Sequence, residues 1–220
     1  MVTAKAFKGL PMEGLIATWY ARNTGRDLHR FTDTARLLAG RVRQGGDVLE
    51  VAPGPGYLAI ELAKRGYAVT ALDISTSFVR IARENAAKNG VAIDVRHGNA
   101  SKMPLPDFSF DYVVCMAAFK NFTAPVDAIN EMHRVLRAGG QASIFDLRKD
   151  ASLQDIAAEV RSMNLSAWNA VLTRFIFRHG LLRAAYTREQ LDRMAATSRF
   201  GRHEIVSQGI GLELRLTKEL

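Results

Sequence analysis

The chain has 220 residues, 48% of them hydrophobic and 24% charged, which is the composition of an ordinary globular domain with a full apolar core. No apolar run reaches the about eighteen residues that a membrane-spanning helix needs, so we expect no membrane span. The single cysteine, Cys115, excludes an internal disulfide, and its apolar surroundings predict a buried thiol in a protein of the reducing cytoplasm.

Strand and helix patterns alternate along the chain. Helical spacing comes first, at 13–21 and 27–40. Strands are then predicted at 47–52, 67–73, 91–97, 110–115 and 141–147, with helices at 56–65, 77–88 and 124–137. Later segments are helices at 152–164 and 167–179, a helix from Thr187 that opens with a capping-box pattern, and two strands within 201–218. This alternation predicts an α/β fold with a parallel, doubly wound sheet and helices on both faces.

The first strand ends in the loop Ala52-Pro53-Gly54-Pro55-Gly56, and a helix follows directly. Gly54 and Gly56 allow the backbone to turn sharply and to approach a ligand without an intervening Cβ atom. The helix start adds unpaired N–H groups that face the same place. A nucleotide-like cofactor fits this loop, although Gly-Pro loops also join strands to helices with nothing bound.

The second strand ends in an acidic residue, Asp73, about twenty residues after the loop. In a βαβ unit this spacing places a carboxylate beside the ribose of a bound nucleotide. The alternative is that Asp73 caps the next helix. Ser75 or Ser77 can fill that position instead, which leaves Asp73 available to a ligand.

The loop lacks the Gly-x-Gly-x-x-Gly pattern of a dinucleotide site, because Ala59 stands at the third glycine position. It resembles the first motif of the class I S-adenosylmethionine (SAM)-dependent methyltransferases, which reads roughly acid-x-Gly-x-Gly-x-Gly. Ala52 replaces the first glycine of that motif, so we expect its backbone to avoid positive φ. Later segments also resemble the family, and the match covers residues 46–147 in order and spacing: His97 to Ala100, Met103 to Asp107, Phe108 to Cys115, Ala128 to Gly140, and Gln141 to Leu147.

The resemblance is to the branch that includes the ubiquinone and menaquinone biosynthesis methyltransferases. It implies a Rossmann-like, seven-stranded, mostly parallel sheet and SAM as cofactor, with S-adenosylhomocysteine as product. It also implies one domain of 1–220, made of an N-terminal helical lid at 1–45, a SAM-binding core at 46–147, a helical substrate cover at 148–186, and the last helix and strands at 187–220.

The resemblance also implies roles for single residues. The loop passes the methionine part of SAM at Gly54 and Gly56, and Glu50 orients the loop or meets the ammonium group through water. Asp73 accepts hydrogen bonds from the ribose hydroxyls, Asn99 holds the adenine amino group, and the backbone of Ala100 reaches a ring nitrogen. Ile74 packs on the adenine; for Ile74 and Met116 a plain core position is equally open. The full cofactor set is Glu50, Ala52, Gly54, Gly56, Asp73, Ile74, Asn99, Ala100 and Met116.

Two residues are candidates for catalysis. Lys120 and Asn121 stand where related enzymes commonly have two histidines, which removes the usual base. Lys120 is a base with a lowered pKa, a charged group that binds an acidic acceptor, or a surface lysine. Tyr20, in the predicted lid, contacts the cofactor carboxylate or the acceptor. No residue cluster has metal-ligand spacing, so no metal is expected.

In the predicted cover, Trp168 and Phe175 lie seven residues apart. They form either an aromatic wall for the acceptor or the core of a helix, and the helical spacing favours the core.

The net charge of +8 comes from the flanks of the chain. Residues 46–146 carry ten basic and eleven acidic residues, against eight and three in 1–45 and twelve and eight in 147–220. The basic residues are scattered singly, which favours a solvated surface over a nucleic-acid site.

We expect methyl transfer to a small-molecule acceptor. The alternatives are a SAM-using enzyme that does not transfer methyl, an RNA or lipid methyltransferase that uses the basic flanks, and a SAM sensor or peripheral membrane binder. No oligomeric state is predicted.

Overall fold

The computed structural model describes residues 7–8, 12–25, 28–163 and 167–220. The helices are α1 Gly14–Thr24, α2 His29–Ala39, α3 Tyr57–Ala63, α4 Thr76–Lys88, α5 Pro125–Val135, α6 Leu153–Ser162, α7 Ala167–Ile176 and α8 Arg188–Ala196. The strands are β1 Asp47–Val51, β2 Ala68–Asp73, β3 Asp94–His97, β4 Phe110–Met116, β5 Leu136–Leu147, β6 Arg202–Gln208 and β7 Gly211–Thr217. Positions 27 and 164, where two predicted helices begin and end, lie outside the described residues.

The seven strands form one sheet in the order β3-β2-β1-β4-β5-β7-β6. Strands β1 to β5 pair in parallel, whereas β7 runs antiparallel to both β5 and β6. Val51 is level with Leu72 on one side and with Cys115 on the other, so the carboxyl ends of β1, β2 and β4 lie at one edge. The predicted α/β, Rossmann-like, seven-stranded fold is confirmed.

Alternating residues of the strands bury two hydrophobic cores, one on each face of the sheet. On one face Val48 and Val114 pack with residues of α2, α3 and α4, including Leu38, Leu58 and Val79. On the other face the core holds Leu49 and Val113 of the strands, Ile129 and Met132 of α5, and Leu191 of α8. Cys115 is fully buried in this second core, as predicted, and burial raises the pKa of its thiol.

Ser75 caps α4, because its hydroxyl oxygen accepts a hydrogen bond from the Phe78 amide. This resolves the alternative for Asp73, which is not the helix cap. The predicted capping box at Thr187 is also present, with Gln190 as its partner. The fifth strand begins earlier than predicted, at Leu136, and a register shift between Phe110 and Tyr112 of β4 accommodates the extra residues.

The expectation that Ala52 avoids positive φ is wrong. Ala52 has a φ of 55°, and its amide donates a hydrogen bond to Leu72 O at 2.8 Å, which prolongs the pairing of β1 with β2. Ala117, directly after β4, repeats this arrangement with a φ of 59° and a hydrogen bond to Phe145 O at 2.7 Å. A left-handed alanine costs about 1–2 kcal/mol, so two strands end in strained alanines at the same edge of the sheet.

Helix α1 is fastened to the start of α4. The Glu13 carboxylate accepts hydrogen bonds from the Thr76 and Ser77 amides, each at 3.0 Å. The Ser75 hydroxyl donates to Met12 O at 2.6 Å, and the Gly14 amide donates to the Ser77 hydroxyl at 2.9 Å. A carboxylate at a helix N-terminus is stabilised by the helix dipole. These contacts fix α1 beside the carboxyl edge of β2.

Trp168 and Phe175 do not form a helix core, contrary to the interpretation favoured by their spacing. Their side chains are 78% and 61% exposed. The core of this segment comes instead from Ile156, Val160, Phe177, Leu182 and Ile210. Phe177 lies on the side of the helix opposite Trp168 and Phe175, so it faces inward while they face out. Helix α7 passes into a π-helical turn at Phe177–Leu181.

The close packing of α3 on α4 gives a stability prediction. Gly56 has a φ of 81°, and a Cβ there would lie 3.0 Å from Ala82 Cβ. Gly56→Ala is therefore expected to lower the free energy of unfolding by about 2–3 kcal/mol, from backbone strain and the steric contact together. Gly54→Ala is the matched control, because its φ is 56° but no atom lies within 4 Å of the added Cβ. It should cost only about 1 kcal/mol in urea unfolding. Equal losses would show that the contact with Ala82 does not matter.

Candidate functional site

A cavity of about 900 Å³ lies at the carboxyl edge of β1, β2 and β4, where ligands bind in open α/β sheets. Ten of the eleven predicted site residues line it: Tyr20, Glu50, Ala52, Gly54, Asp73, Ile74, Asn99, Ala100, Met116 and Lys120. Gly56 is the exception, since it lies behind the loop against Ala82. The roles assigned to these residues stay predictions, but the structure brings ten of them to one place.

Asp73 links the loops that follow β1 and β2. Its Oδ2 accepts a hydrogen bond from Gly54 N at 3.0 Å, and its Oδ1 accepts one from Ser75 N at 2.9 Å. Burial raises the pKa of this carboxyl to about 6, against the opposing effect of the two amides. Each oxygen has room for a second hydrogen bond, so the carboxylate can still accept from ligand hydroxyls.

Glu50, at the carboxyl end of β1, is the most unusual group in the cavity. It is 2% exposed, and its Oε2 has no hydrogen-bond partner among the described residues. Burial raises the pKa of its carboxyl to about 8, and the nearby charge of Asp73 acts in the same direction. A buried carboxyl oxygen without a partner is costly unless a ligand supplies one. A ligand that carries an ammonium group fits this position.

The loops after β2 and β3 form the other end of the cavity. Ile74 is 39% exposed, which excludes the plain core position that the sequence left open for it. Met116 is partly buried and packs against the core that contains Val48 and Val114. The Asn99 Oδ1 accepts a hydrogen bond from Ser101 N at 2.9 Å, so one lone pair is left for a ligand N–H group. Gly54 adds open space at the first loop, where a Cβ would meet no atom within 4 Å.

Lys120 is held in an ion pair and is not a surface lysine. Its Nζ donates to Asp146 Oδ1 at 2.8 Å and to Ala117 O at 3.0 Å. Its amide donates to Asp146 Oδ2 at 2.9 Å, and the two side chains are 12% and 4% exposed. The pair fixes the ammonium group at the cavity wall. Action as a free base would require this pair to break.

Asp146 is a residue that sequence reasoning missed. It stands one residue before the end of β5, as Glu50 does in β1, and Asp73 ends β2. This shared pattern was the signal available for finding it. Asp146 does not itself line the cavity but holds Lys120, which does. Cavity-lining residues that were not predicted include Glu13, Arg30 and Phe31. Tyr20 was predicted, and its ring is positioned by an edge contact with Phe78, at 5.8 Å between centroids.

A second cavity, of about 520 Å³, lies across the sheet near the amino end of β4 and β5. Its central charges are already matched. Arg41 pairs with Glu213, which also accepts from Ser143 Oγ at 2.7 Å, and Arg215 pairs with both Glu213 and Glu204. Such a closed network stabilises the edge of the sheet and leaves little charge for a ligand.

Comparison with known proteins agrees with this geometry. Residues 49–144 match the model of a methyltransferase domain family. Over these residues the chain is similar to a methyltransferase domain. It is 34% identical over 119 residues to a demethylmenaquinone methyltransferase of Listeria monocytogenes, a match that covers 52% of this chain and 49% of that protein. It is 31% identical over 144 residues to a ubiquinone/menaquinone biosynthesis C-methyltransferase of Cupriavidus taiwanensis, covering 64% and 59%.

The match to the curated relatives is confined to part of each protein, and the chain spans about half to three fifths of their length. A crystal structure from Methanococcus maripaludis, of a protein assigned to the SAM-dependent methyltransferases, aligns with a TM-score of 0.73. It covers 100% of this chain and 98% of that one at 22% identity, which shows the methyltransferase fold alone. The predicted family resemblance is confirmed.

Two further observations concern the described residues of the chain. None of their helices is long and apolar enough to cross a bilayer. No group of three or more histidine, cysteine, aspartate or glutamate side chains in these ranges is arranged to hold a metal ion.

The raised pKa of Glu50 predicts how stability depends on pH. The folded protein keeps the Glu50 proton up to about pH 8, whereas an unfolded glutamate loses it near its usual value of 4.5. Folding therefore takes up a proton between these values, and the free energy of unfolding falls as pH rises, by at most about 1.4 kcal/mol per pH unit. Asp73 contributes in the same direction, but only up to about pH 6.

Glu50→Gln should flatten the fall in unfolding free energy from about pH 6.5 to about pH 8, a range that lies above the Asp73 titration. The measurement is urea unfolding without ligand. Glu189→Gln, at a carboxyl that is 79% exposed, is the control and should keep the wild-type slope. A Glu50→Gln profile as steep as the wild type would contradict the assignment.

Proposed function

We propose that this protein is a SAM-dependent methyltransferase that acts on a small, largely apolar acceptor. The observation that carries the proposal is the pair of buried carboxyl groups, Glu50 and Asp73, on either side of the open loop at Gly54. A ligand with both an ammonium group and a dihydroxy sugar satisfies them together. SAM has both groups, and the family match at residues 49–144 supports the same cofactor.

The cavity residues would hold SAM as follows. Glu50 would accept from the ammonium group, Asp73 from the ribose hydroxyls, and Asn99 from the adenine amino group. Ile74 would cover the adenine, and the Ala100 backbone would reach a ring nitrogen. SAM supplies a methyl group that its sulfonium already activates. The protein then needs chiefly to align the acceptor and exclude water, which accounts for much of the rate in such transfers.

The rest of the cavity wall indicates the kind of acceptor. Its side chains are mostly apolar: Ile16, Trp19, Phe122, Leu147 and Leu181. Among the described residues, two basic side chains line it: Lys120, which is paired with Asp146, and Arg30, which lies over the Phe31 ring at 4.6 Å. This wall favours an aromatic or apolar acceptor over a strongly anionic one. The relatives are named for quinone biosynthesis, and a quinone-like ring is therefore the first acceptor class to test.

The ammonium group of Lys120 would stabilise negative charge that develops on an acceptor oxygen. Asp146 would hold it in place. Tyr20, which lies on α1, would cover the part of the cavity that holds the acceptor.

The reaction is tested with isotopically labelled SAM and phenolic or hydroquinone acceptors. Release of S-adenosylhomocysteine with a labelled acceptor is expected. Release of methylthioadenosine would instead show a SAM-using enzyme that does not transfer methyl.

The role of Asp73 can be tested by binding alone. Asp73→Ala should weaken S-adenosylhomocysteine at least about tenfold in calorimetry, because the ribose hydroxyls lose a charged acceptor. Asp73→Asn should retain the loop contact to one amide and still bind at least about fivefold more weakly. Asp94→Asn, at an exposed aspartate of β3, is the control. Unchanged affinity in Asp73→Asn and Asp73→Ala would reject the ribose role.

The role of Lys120 predicts a separation of binding from turnover. Lys120→Met should lower kcat about 100-fold while S-adenosylhomocysteine affinity stays within about threefold, because the charge acts on the acceptor. Lys120→Arg keeps the charge and should recover part of the rate. Lys149→Met, at an exposed lysine outside the cavity, is the matched control. If Lys120→Met folds, binds and turns over like the wild type, the assignment fails.

A further inference from the structure

An exposed apolar stripe runs along α7. The side chains of Trp168, Val171, Leu172 and Phe175 are 78%, 60%, 49% and 61% exposed. Their spacing of three and four residues places them within about 100° of arc on the helix. Folded proteins normally expose large apolar side chains singly, and a group of four on one helix face marks a site of interaction.

The charge of the same segment is strongly one-sided. Residues 167–184 hold three arginines and one histidine, and no aspartate or glutamate. Arg174, Arg178 and Arg183 are all exposed. In helical projection Arg174 and Arg178 follow one edge of the apolar stripe. Aromatic and aliphatic residues flanked by arginine are typical of helices that lie in the interface of an anionic lipid bilayer.

The surface also adjoins the cavity. Gly180, Leu181 and Ala184, in the turns after α7, line it, and Leu181 is 46% exposed. On the other side of the cavity, Ile16 and Trp19 of α1 line it as well, and both are exposed. Apolar surface therefore continues from the outside of α7 and of α1 into the cavity itself.

We propose that α7 docks this protein on an anionic lipid bilayer, with Trp168 and Leu172 in the interface and Arg174 and Arg178 against the headgroups. At ten residues α7 lies along the surface and does not cross it. The proposal is separate from the methyl-transfer function and does not depend on it. One extension, that an apolar acceptor enters the cavity from the lipid side, rests on the proposed function.

A second copy of the chain fits this surface less well than a bilayer. Residues 167–184 contain no acid, so in a two-fold contact through α7 the same segment of the second copy offers no negative charge to Arg174 and Arg178. An anionic headgroup layer supplies the missing negative charge.

The test is co-sedimentation of the full chain with vesicles of phosphatidylglycerol and phosphatidylcholine, and with pure phosphatidylcholine vesicles, at about 0.1 M and about 0.5 M salt. Binding is expected to the anionic vesicles and to weaken at high salt. Arg174→Glu/Arg178→Glu should weaken it at least about tenfold. Arg188→Glu/Arg199→Glu makes the same charge change at exposed arginines outside the segment, and should weaken it far less.

The apolar contribution has its own matched pair. Leu172→Ala should weaken vesicle binding about fivefold. Leu37→Ala, at a leucine of α2 that is 45% exposed, should leave it unchanged. S-adenosylhomocysteine affinity and thermal midpoint should be unaltered in these variants, which separates a docking defect from a damaged fold or cofactor site.

Three results would overturn the proposal. The first is no binding to anionic vesicles. The second is equal weakening of vesicle binding by the two double variants, which would show that binding depends only on the net charge of the protein. The third is a dimer in light scattering that Leu172→Ala converts to monomer while vesicle binding stays absent, which would assign the stripe to a contact between copies.

Discussion

The Asp73 carboxylate joins the two loops on which the whole site depends. One oxygen accepts from the Gly54 amide after β1 and the other from the Ser75 amide after β2. Ser75 in turn caps α4 and binds Met12 O, so the same short stretch also positions α1. The Asp73 carboxylate and the nearby Ser75 therefore align both loops, α4 and α1. Loss of that charge would be felt across the cavity before any ligand is considered.

This arrangement stores free energy in the ligand-free protein. Glu50 is buried with an oxygen that lacks a partner, and the alanines at 52 and 117 hold left-handed backbone conformations. Each of these features costs stability, and all lie at the carboxyl edge of the sheet. A ligand that supplies hydrogen-bond donors to Glu50 and Asp73 recovers part of that cost, and binding to the folded state alone raises its stability. A site of this kind is built for a specific ligand and is not a by-product of core packing.

The order of the elements could be predicted from the sequence because each strand ends in a recognisable signal. Val48 to Gly56 shows a strand, a turn and a helix in succession, and Asp73 closes the next strand at the expected spacing. The ion pair of Lys120 could not be predicted, because Asp146 is distant in sequence and meets it only through the pairing of β4 with β5. The left-handed backbone of Ala52 was missed for the same reason, since its hydrogen bond to Leu72 O comes from the neighbouring strand. Trp168 and Phe175 have the spacing of a core helix, and only the packing of Phe177 and Leu182 shows that another face is buried.

The parts of the chain that are shared with relatives differ from the parts that carry its net charge. The family match ends at residue 144, and residues 46–146 are almost neutral. The surplus of basic residues lies before and after this core, in the segments that contain α1 and α7. Those segments also supply the apolar wall of the cavity at Ile16, Trp19 and Leu181. In the proposed function, cofactor recognition uses strand ends within the family match, whereas the acceptor also meets residues that lie outside residues 49–144. Because α1 and α7 also present exposed apolar side chains outward, the proposed acceptor selection and the proposed membrane docking depend on the same two helices.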